Sequence, residues 1–233
     1  MVKVKNSFKT LGEAWIFGLR QVMEHGEEMQ DKAVVARDIS LDLERSALLL
    51  SEYESPLDET KLDLKLKEIL GHVLYIETVS IDDPVIAKYA DQQRIDYTRK
   101  RYGKNSGPGG YGEFIYGPDS ATFDSIVDRL SSNPSSKSTT VNAPNVSTAN
   151  CGKPPCLSAV DFKIRGDRLL MTVMYRSQNI FTKQPGNILA LRDLQNTIAD
   201  RVGVAVGGIN LFAASAHIYE PDWKAAEAIL AKS

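Results

Sequence analysis

Pro154-Pro155-Cys156-Leu157-Ser158-Ala159-Val160-Asp161-Phe162-Lys163-Ile164-Arg165-Gly166-Asp167-Arg168-Leu169-Leu170-Met171-Thr172-Val173-Met174-Tyr175-Arg176-Ser177 contains two apolar runs around one polar turn. Residues 157–164 and 169–175 are rich in Val, Ile, Leu, Phe and Tyr, and Gly166-Asp167 lies between them. That pattern predicts a β-hairpin. In an antiparallel pair the start of one strand faces the end of the other. Ile164 opposite Leu169 then puts Cys156 opposite Ser177 and beside Arg176. A nearby cation favours the thiolate, the nucleophilic form of cysteine, so Cys156 is the candidate nucleophile.

Downstream of the hairpin, residues 187–202 carry Ile188, Leu191, Ile198 and Val202 at helical steps, with Gly203 at the end. Asn187 suits the helix N-cap. Residues 209–219 read as a buried strand, in which His217 and Tyr219 point to the same face. Upstream, Phe8, Leu11, Trp15, Leu19 and Val22 predict a helix over 7–25 that stops at Gly26, with Trp15 as a core anchor. Partial alternation predicts a strand over 33–43. Leu62, Leu66, Ile69, Leu70 and Val73 predict a helix over 58–76, which makes His72 a surface or half-buried histidine.

A further helix is expected over 84–101, ending in the basic run Arg99-Lys100-Arg101, which reads as a solvated helix end. Gly103 to Gly112 reads as a loop without a phosphate-binding fingerprint. A helix over 122–130 and a strand over 139–143 follow. Residues 144–155, rich in Pro, Asn, Ser and Gly, deliver Cys156. A short Ala-rich helix is expected over 224–232.

The composition is that of an ordinary globular chain. It has 233 residues, 42% hydrophobic and 25% charged, enough for a sizeable core in a single domain, taken as 1–233. A net charge of −2 gives no electrostatic case for nucleic acid or an anionic membrane. No run approaches a membrane span, and no signal-peptide core opens the chain. Two cysteines, Cys151 and Cys156, are too few for a disulfide framework, so a reduced, cytoplasmic protein is expected.

Pro155-Cys156, Tyr175-Arg176-Ser177-x-Asn179, Pro185-x-Asn187 and His217-x-Tyr219 together resemble the core of the thymidylate synthase family, which includes the pyrimidine nucleotide hydroxymethylases. Four motifs in order are far more specific than any one alone. The match spans roughly residues 107–223. The resemblance implies an α/β (α+β) fold, a twisted mixed sheet backed by helices, and a homodimer packed sheet to sheet. It implies a pyrimidine nucleoside monophosphate as substrate and 5,10-methylenetetrahydrofolate as one-carbon donor. Thiolate addition to carbon 6 would make carbon 5 nucleophilic.

In that resemblance Cys156 is the nucleophile, while Arg176 stabilises the thiolate and contacts phosphate. Ser177 donates to phosphate, Asn187 reads the pyrimidine edge through its amide, and His217 and Tyr219 hold the sugar hydroxyl. Asn187 favours uracil over cytosine. Tyr116-Gly117 is matched to the family's Tyr-Gly element for its distance to the next helix. Tyr111-Gly112 competes for the same position, because Gly107-Pro108 precedes it. Asn133-Pro134-Ser135-Ser136-Lys137-Ser138 resembles the segment that reaches the partner subunit's phosphate, with Lys137 and Ser138 in place of two arginines. Lys32 and Arg37 are candidates for the family's other phosphate arginine, and Glu68 and Glu77 for its glutamate.

Several departures bear on the reaction. Tyr175 replaces a glutamine. Asn179 replaces a folate-side aspartate and cannot act as a carboxylate base. The chain ends soon after Trp223, where the family continues over the folate. Hydride transfer needs a dry site, so a hydroxymethyl product stands beside a methyl product. A noncatalytic or repurposed nucleotide-binding relative is the alternative.

Overall fold

Ser7-Phe8-Lys9-Thr10 forms strand β1 (Ser7–Thr10), which runs parallel to a later strand. The helical periodicity of 7–25 therefore merges two elements. Thr10 separates them: its hydroxyl accepts from the Glu13 N–H as the N-cap of α1 (Leu11–His25), which stops at Gly26 as expected. The computed structural model describes residues 6–35, 61–106, 110–143 and 155–233. Strand β2 (Glu27–Val35) begins ahead of the expected 33–43, and the remainder of that range lies outside the described residues.

Residues 58–76 are the largest departure. They are not helical: β3 (Lys61–Thr78) is one long strand. Gly71 interrupts it at φ 70, a backbone region open to glycine at little cost. Lys67 and Ile69 face α1 below the interruption, and His72, Leu74 and Ile76 face it above. The three-residue step from Ile69 to His72 breaks the strand's alternation and imitates helical spacing. The same kink leaves Leu70 78% exposed.

The expected 84–101 helix is two, α2 (Pro84–Tyr89) and α3 (Gln92–Lys100), each started by an aspartate cap, Asp83 and Asp91. Next come α4 (Tyr111–Tyr116), a single 3-10 turn, α5 (Ala121–Ser132) and β4 (Thr140–Asn142). The hairpin is β5 (Leu157–Arg165) and β6 (Arg168–Tyr175). The rest is β7 (Gln178–Asn179), α6 (Gln184–Val202), β8 (Ala205–Tyr219) and α7 (Glu220–Leu230).

Among the described residues eight strands form one mixed sheet in the order β1-β3-β8-β6-β5-β4, with β2 on β3 and β7 on β8. Strand β8 runs antiparallel to β3 and parallel to β6 and β7. Parallel neighbours need a crossover, which α6 supplies. Its Ile188, Leu191, Leu194 and Ile198 are buried in the same core as Trp15, Leu19, Leu74 and Ile76. Trp15 anchors that core and donates its indole N–H to the Ile180 carbonyl at 2.9 Å. This is a mixed α/β architecture with helices against the sheet. Among the described residues no helix is long and apolar enough to cross a membrane.

Candidate active site

Ile164 pairs with Leu169 as the sequence predicts, and the ladder continues to Ala159 opposite Met174. It then shifts by one residue, so Leu157 faces Tyr175. Cys156 consequently stands opposite Arg176 rather than Ser177, and its carbonyl accepts the Arg176 backbone N–H at 2.9 Å. The Arg176 Nε donates to the Pro155 carbonyl at 3.2 Å, which ties its side chain to the residue before Cys156. Cys156 is a free, half-buried thiol.

Tyr111, not Tyr116, meets that thiol. Its hydroxyl is hydrogen-bonded to Cys156, and burial, with the nearby sulfur second, holds the phenol well above its ordinary range. The Arg101 guanidinium lies 5.2 Å from the Tyr111 ring centre. Tyr116, at the far end of α4, stacks on Phe123 at 5.1 Å and senses Asp193. The short α4 turns the two tyrosines to different surroundings, which distance along the chain does not reveal. Gly107-Pro108 before Tyr111 was the signal favouring it.

His217 is paired with Asn179 across β7 and β8, and its Nδ1 lies 3.4 Å from the Ser177 hydroxyl. Burial depresses its imidazole to about 4; Asp31 opposes this and Arg176 reinforces it. The His217 ring meets the Tyr219 ring edge-on at 5.0 Å, so the expected shared face exists. Tyr219 donates to the Asp31 carboxylate at 3.2 Å. Asp31 belongs to this group, and nothing in its own stretch of sequence marks it.

Asn187 lies in the first turn of α6, whose N-cap is Lys183, so the capping role expected for Asn187 is not the one it has. Its side-chain oxygen accepts from the Tyr102 hydroxyl at 3.1 Å, and the Tyr102 and Tyr175 hydroxyls are 2.6 Å apart. Tyr175, standing at the glutamine position of the resemblance, is fully buried. Asn179 is buried, and its side-chain oxygen accepts from the Thr182 N–H at 3.0 Å.

The other expected residues are dispersed. Lys137 and Ser138 are exposed between α5 and β4. Glu68 lies on β3 and accepts from the Ser215 hydroxyl, while Glu77 is near the strand's end. Arg37 and the Lys32 side chain lie outside the described residues. Among the described residues no three His, Cys, Asp or Glu side chains are grouped to hold a metal ion.

A mixed sheet thus presents a cysteine between a tyrosine and an arginine, beside a His-Tyr pair and an oriented asparagine. The class these elements define is a mixed α/β protein with one sheet and helices packed against it. The family model for thymidylate synthase matches residues 14–233, and the chain belongs to the thymidylate synthase family. It is 26% identical over 228 residues to a Methanosarcina barkeri protein named "Putative thymidylate synthase", covering 95% of this chain and 92% of that one. A protein of the same name from Methanothermobacter thermautotrophicus is 43% identical over 76 residues, 33% of this chain and 34% of its own. The Zymomonas mobilis thymidylate synthase is 31% identical over 108 residues, 44% of this chain and 36% of its own.

Proposed function

We propose that this chain transfers a one-carbon unit to carbon 5 of a pyrimidine nucleoside monophosphate through a Cys156 adduct at carbon 6. The observation that carries the reading is the setting of Cys156: Tyr111 is hydrogen-bonded to its sulfur and Arg176 is bonded to its backbone. A purely structural cysteine has no need of a hydroxyl held at its sulfur, and the ladder bond fixes where that sulfur stands.

The thiolate forms a bond to carbon 6, and the displaced electron pair moves through carbon 5 toward the carbon 4 substituent. Asn187 supports that charge through its amide N–H. Carbon 5 would then bond to the one-carbon unit as that unit's bond to its donor breaks, and lose its proton to solvent. Water adding to the new exocyclic carbon would give hydroxymethyl, a hydride supplied by the donor would give methyl, and the sulfur would leave carbon 6 as the thiolate. Tyr111 remains a neutral hydroxyl donor beside the sulfur throughout. Arg176 and Ser177 hold the phosphate. His217, neutral at pH 7, and Tyr219 take the sugar hydroxyl. A neutral imidazole adds no repulsion toward Arg176.

5,10-Methylenetetrahydrofolate, which the family uses, supplies carbon at the formaldehyde oxidation level. Asn179 does not fit the folate-side role of a carboxylate: it is an amide, and its oxygen is committed to the Thr182 N–H. Methylation and hydroxymethylation are both compatible with the residues present. The same Asn179 favours, as the second reading, a relative that binds nucleotide without transferring carbon.

The assembly we propose is a homodimer packed through the sheet face away from α1. Val73, Phe212 and Met174 are cross-strand neighbours there, and Val73 and Met174 are 39% and 42% exposed. Lys137 would then serve the partner's phosphate.

Tritium release from 5-tritiated UMP, dUMP, CMP and dCMP tests the reaction. Release by the native chain and none by Cys156→Ala supports transfer. Binding without release from any nucleotide, with or without a folate, leaves the binding-protein reading.

A further inference from the structure

Asn187 can read a pyrimidine in two ways, because its amide carries a donor at one end and an acceptor at the other. Turning it over exchanges the two. Uracil offers an acceptor oxygen on carbon 4 and a donor N–H at position 3, whereas cytosine offers the reverse. A freely turning amide meets either edge, and a fixed amide meets one.

Two tyrosines fix this one. Tyr102 and Tyr175 are 2.6 Å apart at their hydroxyls, and Tyr102 is 3.1 Å from the Asn187 side-chain oxygen. Each hydroxyl has a single proton. With Tyr175 donating to Tyr102 and Tyr102 donating to the amide oxygen, both protons are used. In the reverse order the amide N–H donates to Tyr102 and Tyr102 to Tyr175. The Tyr175 proton then has no acceptor among the described residues, although its side chain is 0% exposed. A buried donor without a partner is costly, so burial of Tyr175 favours the first order. Burial also holds both phenols well above their ordinary range, so both remain donors throughout the neutral range.

We propose that Tyr175 and Tyr102 are positioning residues that lock the Asn187 oxygen inward, leave its N–H group outward, and make the site select a pyrimidine with an oxygen on carbon 4 over one with an amino group. The proposal rests on the pyrimidine-transferase reading. It adds that selectivity belongs to a relay two side chains deep and not to Asn187 alone. The three groups come from the turn after α3, the end of β6 and the first turn of α6, so the relay exists only in the folded chain.

The test uses Tyr102→Phe and Tyr175→Phe, which keep the rings and remove one oxygen each. Dissociation constants for UMP, dUMP, CMP and dCMP are measured on the native chain and both variants. The native chain should prefer uracil nucleotides. Tyr102→Phe should reduce the uracil-to-cytosine ratio at least tenfold, and Tyr175→Phe should reduce it in the same direction by less. Equal weakening of both bases in Tyr102→Phe, or a native preference for cytosine, overturns the proposal. The side-chain amide signal of Asn187 in 15N-labelled protein without nucleotide gives an independent readout. It should move in Tyr102→Phe while other asparagine signals stay. If the native chain takes none of the four nucleotides, the transferase reading fails by itself. An unmoved Asn187 signal still overturns the lock.

Discussion

Arg176 donates its backbone N–H to the Cys156 carbonyl oxygen at 2.9 Å. The one-residue shift near Ser158 creates this pair. It holds the thiol-bearing residue against the strand end that carries the cation. Cys156→Ala should reduce tritium release by more than about 1000-fold, because a covalent adduct has no substitute. Arg176→Ala should weaken nucleotide binding about 10- to 100-fold through lost charge-assisted bonds to phosphate. Equal tritium release from native protein and Cys156→Ala would end the covalent reading.

Tyr111 and Tyr116 should separate cleanly. Tyr111→Phe removes the hydroxyl bonded to the Cys156 sulfur and should slow turnover about 100-fold, the usual scale for losing one preorganised hydrogen-bond donor. Tyr116→Phe leaves its stack on Phe123 in place and should change turnover little. Steady-state rates of the two variants decide the matter, and the opposite order would restore Tyr116 to the site.

Acid should destabilise the fold through two histidines. Burial depresses His72 and His217 from 6.5 to about 4. Between those values the unfolded chain binds protons that the folded chain refuses. Their neutral burial is therefore fully tolerated above pH 6.5, and stability falls as pH drops toward 4. At pH 5 the loss is about 2 kcal/mol per histidine relative to neutral pH. Urea unfolding at pH 7 and pH 5 measures it. His72→Gln should show about half the native loss, and an unchanged loss would remove His72 from the account.

Asp83 ties α2 to the start of α1. Its carboxylate accepts from the Gly12 N–H at 2.9 Å, the Val85 N–H at 2.9 Å and the Ile86 N–H at 3.3 Å. Burial alone would raise its pKa, but these donors and the Thr10 hydroxyl together pull it below the ordinary value. Asp83→Ala should cost about 2 kcal/mol, from a lost cap and orphaned N–H groups. A melting temperature within 1–2 °C of native would contradict that, since about 1 kcal/mol moves a domain of this size by roughly 2–4 °C.

The row formed by Val73, Phe212 and Met174 gives the dimer its test. A charge in a buried apolar interface is costly without a partner. Val73→Lys should shift the mass at micromolar concentration from dimer to monomer without unfolding the chain. A native chain that is already monomeric there would sink the proposed assembly.

Local pattern made the hairpin legible, because strand alternation, a Gly-Asp turn and antiparallel geometry are neighbourly properties. The same holds for α5, for most of α6 and for the His217-Tyr219 face. Pattern misled at residues 58–76, where Gly71 offsets the inward face of β3 and gives a strand the spacing of a helix. It also misled at 84–101, where Asp91 caps a second helix.

The order of Pro155-Cys156, Arg176-Ser177, Asn187 and His217-Tyr219 belongs to the sequence alone, and with it the chemistry the chain can attempt. Which tyrosine reaches the sulfur, which way Asn187 faces, and that Asp31 joins Tyr219 belong to the tertiary structure. These pairings join residues brought together by sheet order and by the crossover of α6. A hydrogen bond depends on distance and direction in space, and strand alternation or helical spacing encodes neither across such separations.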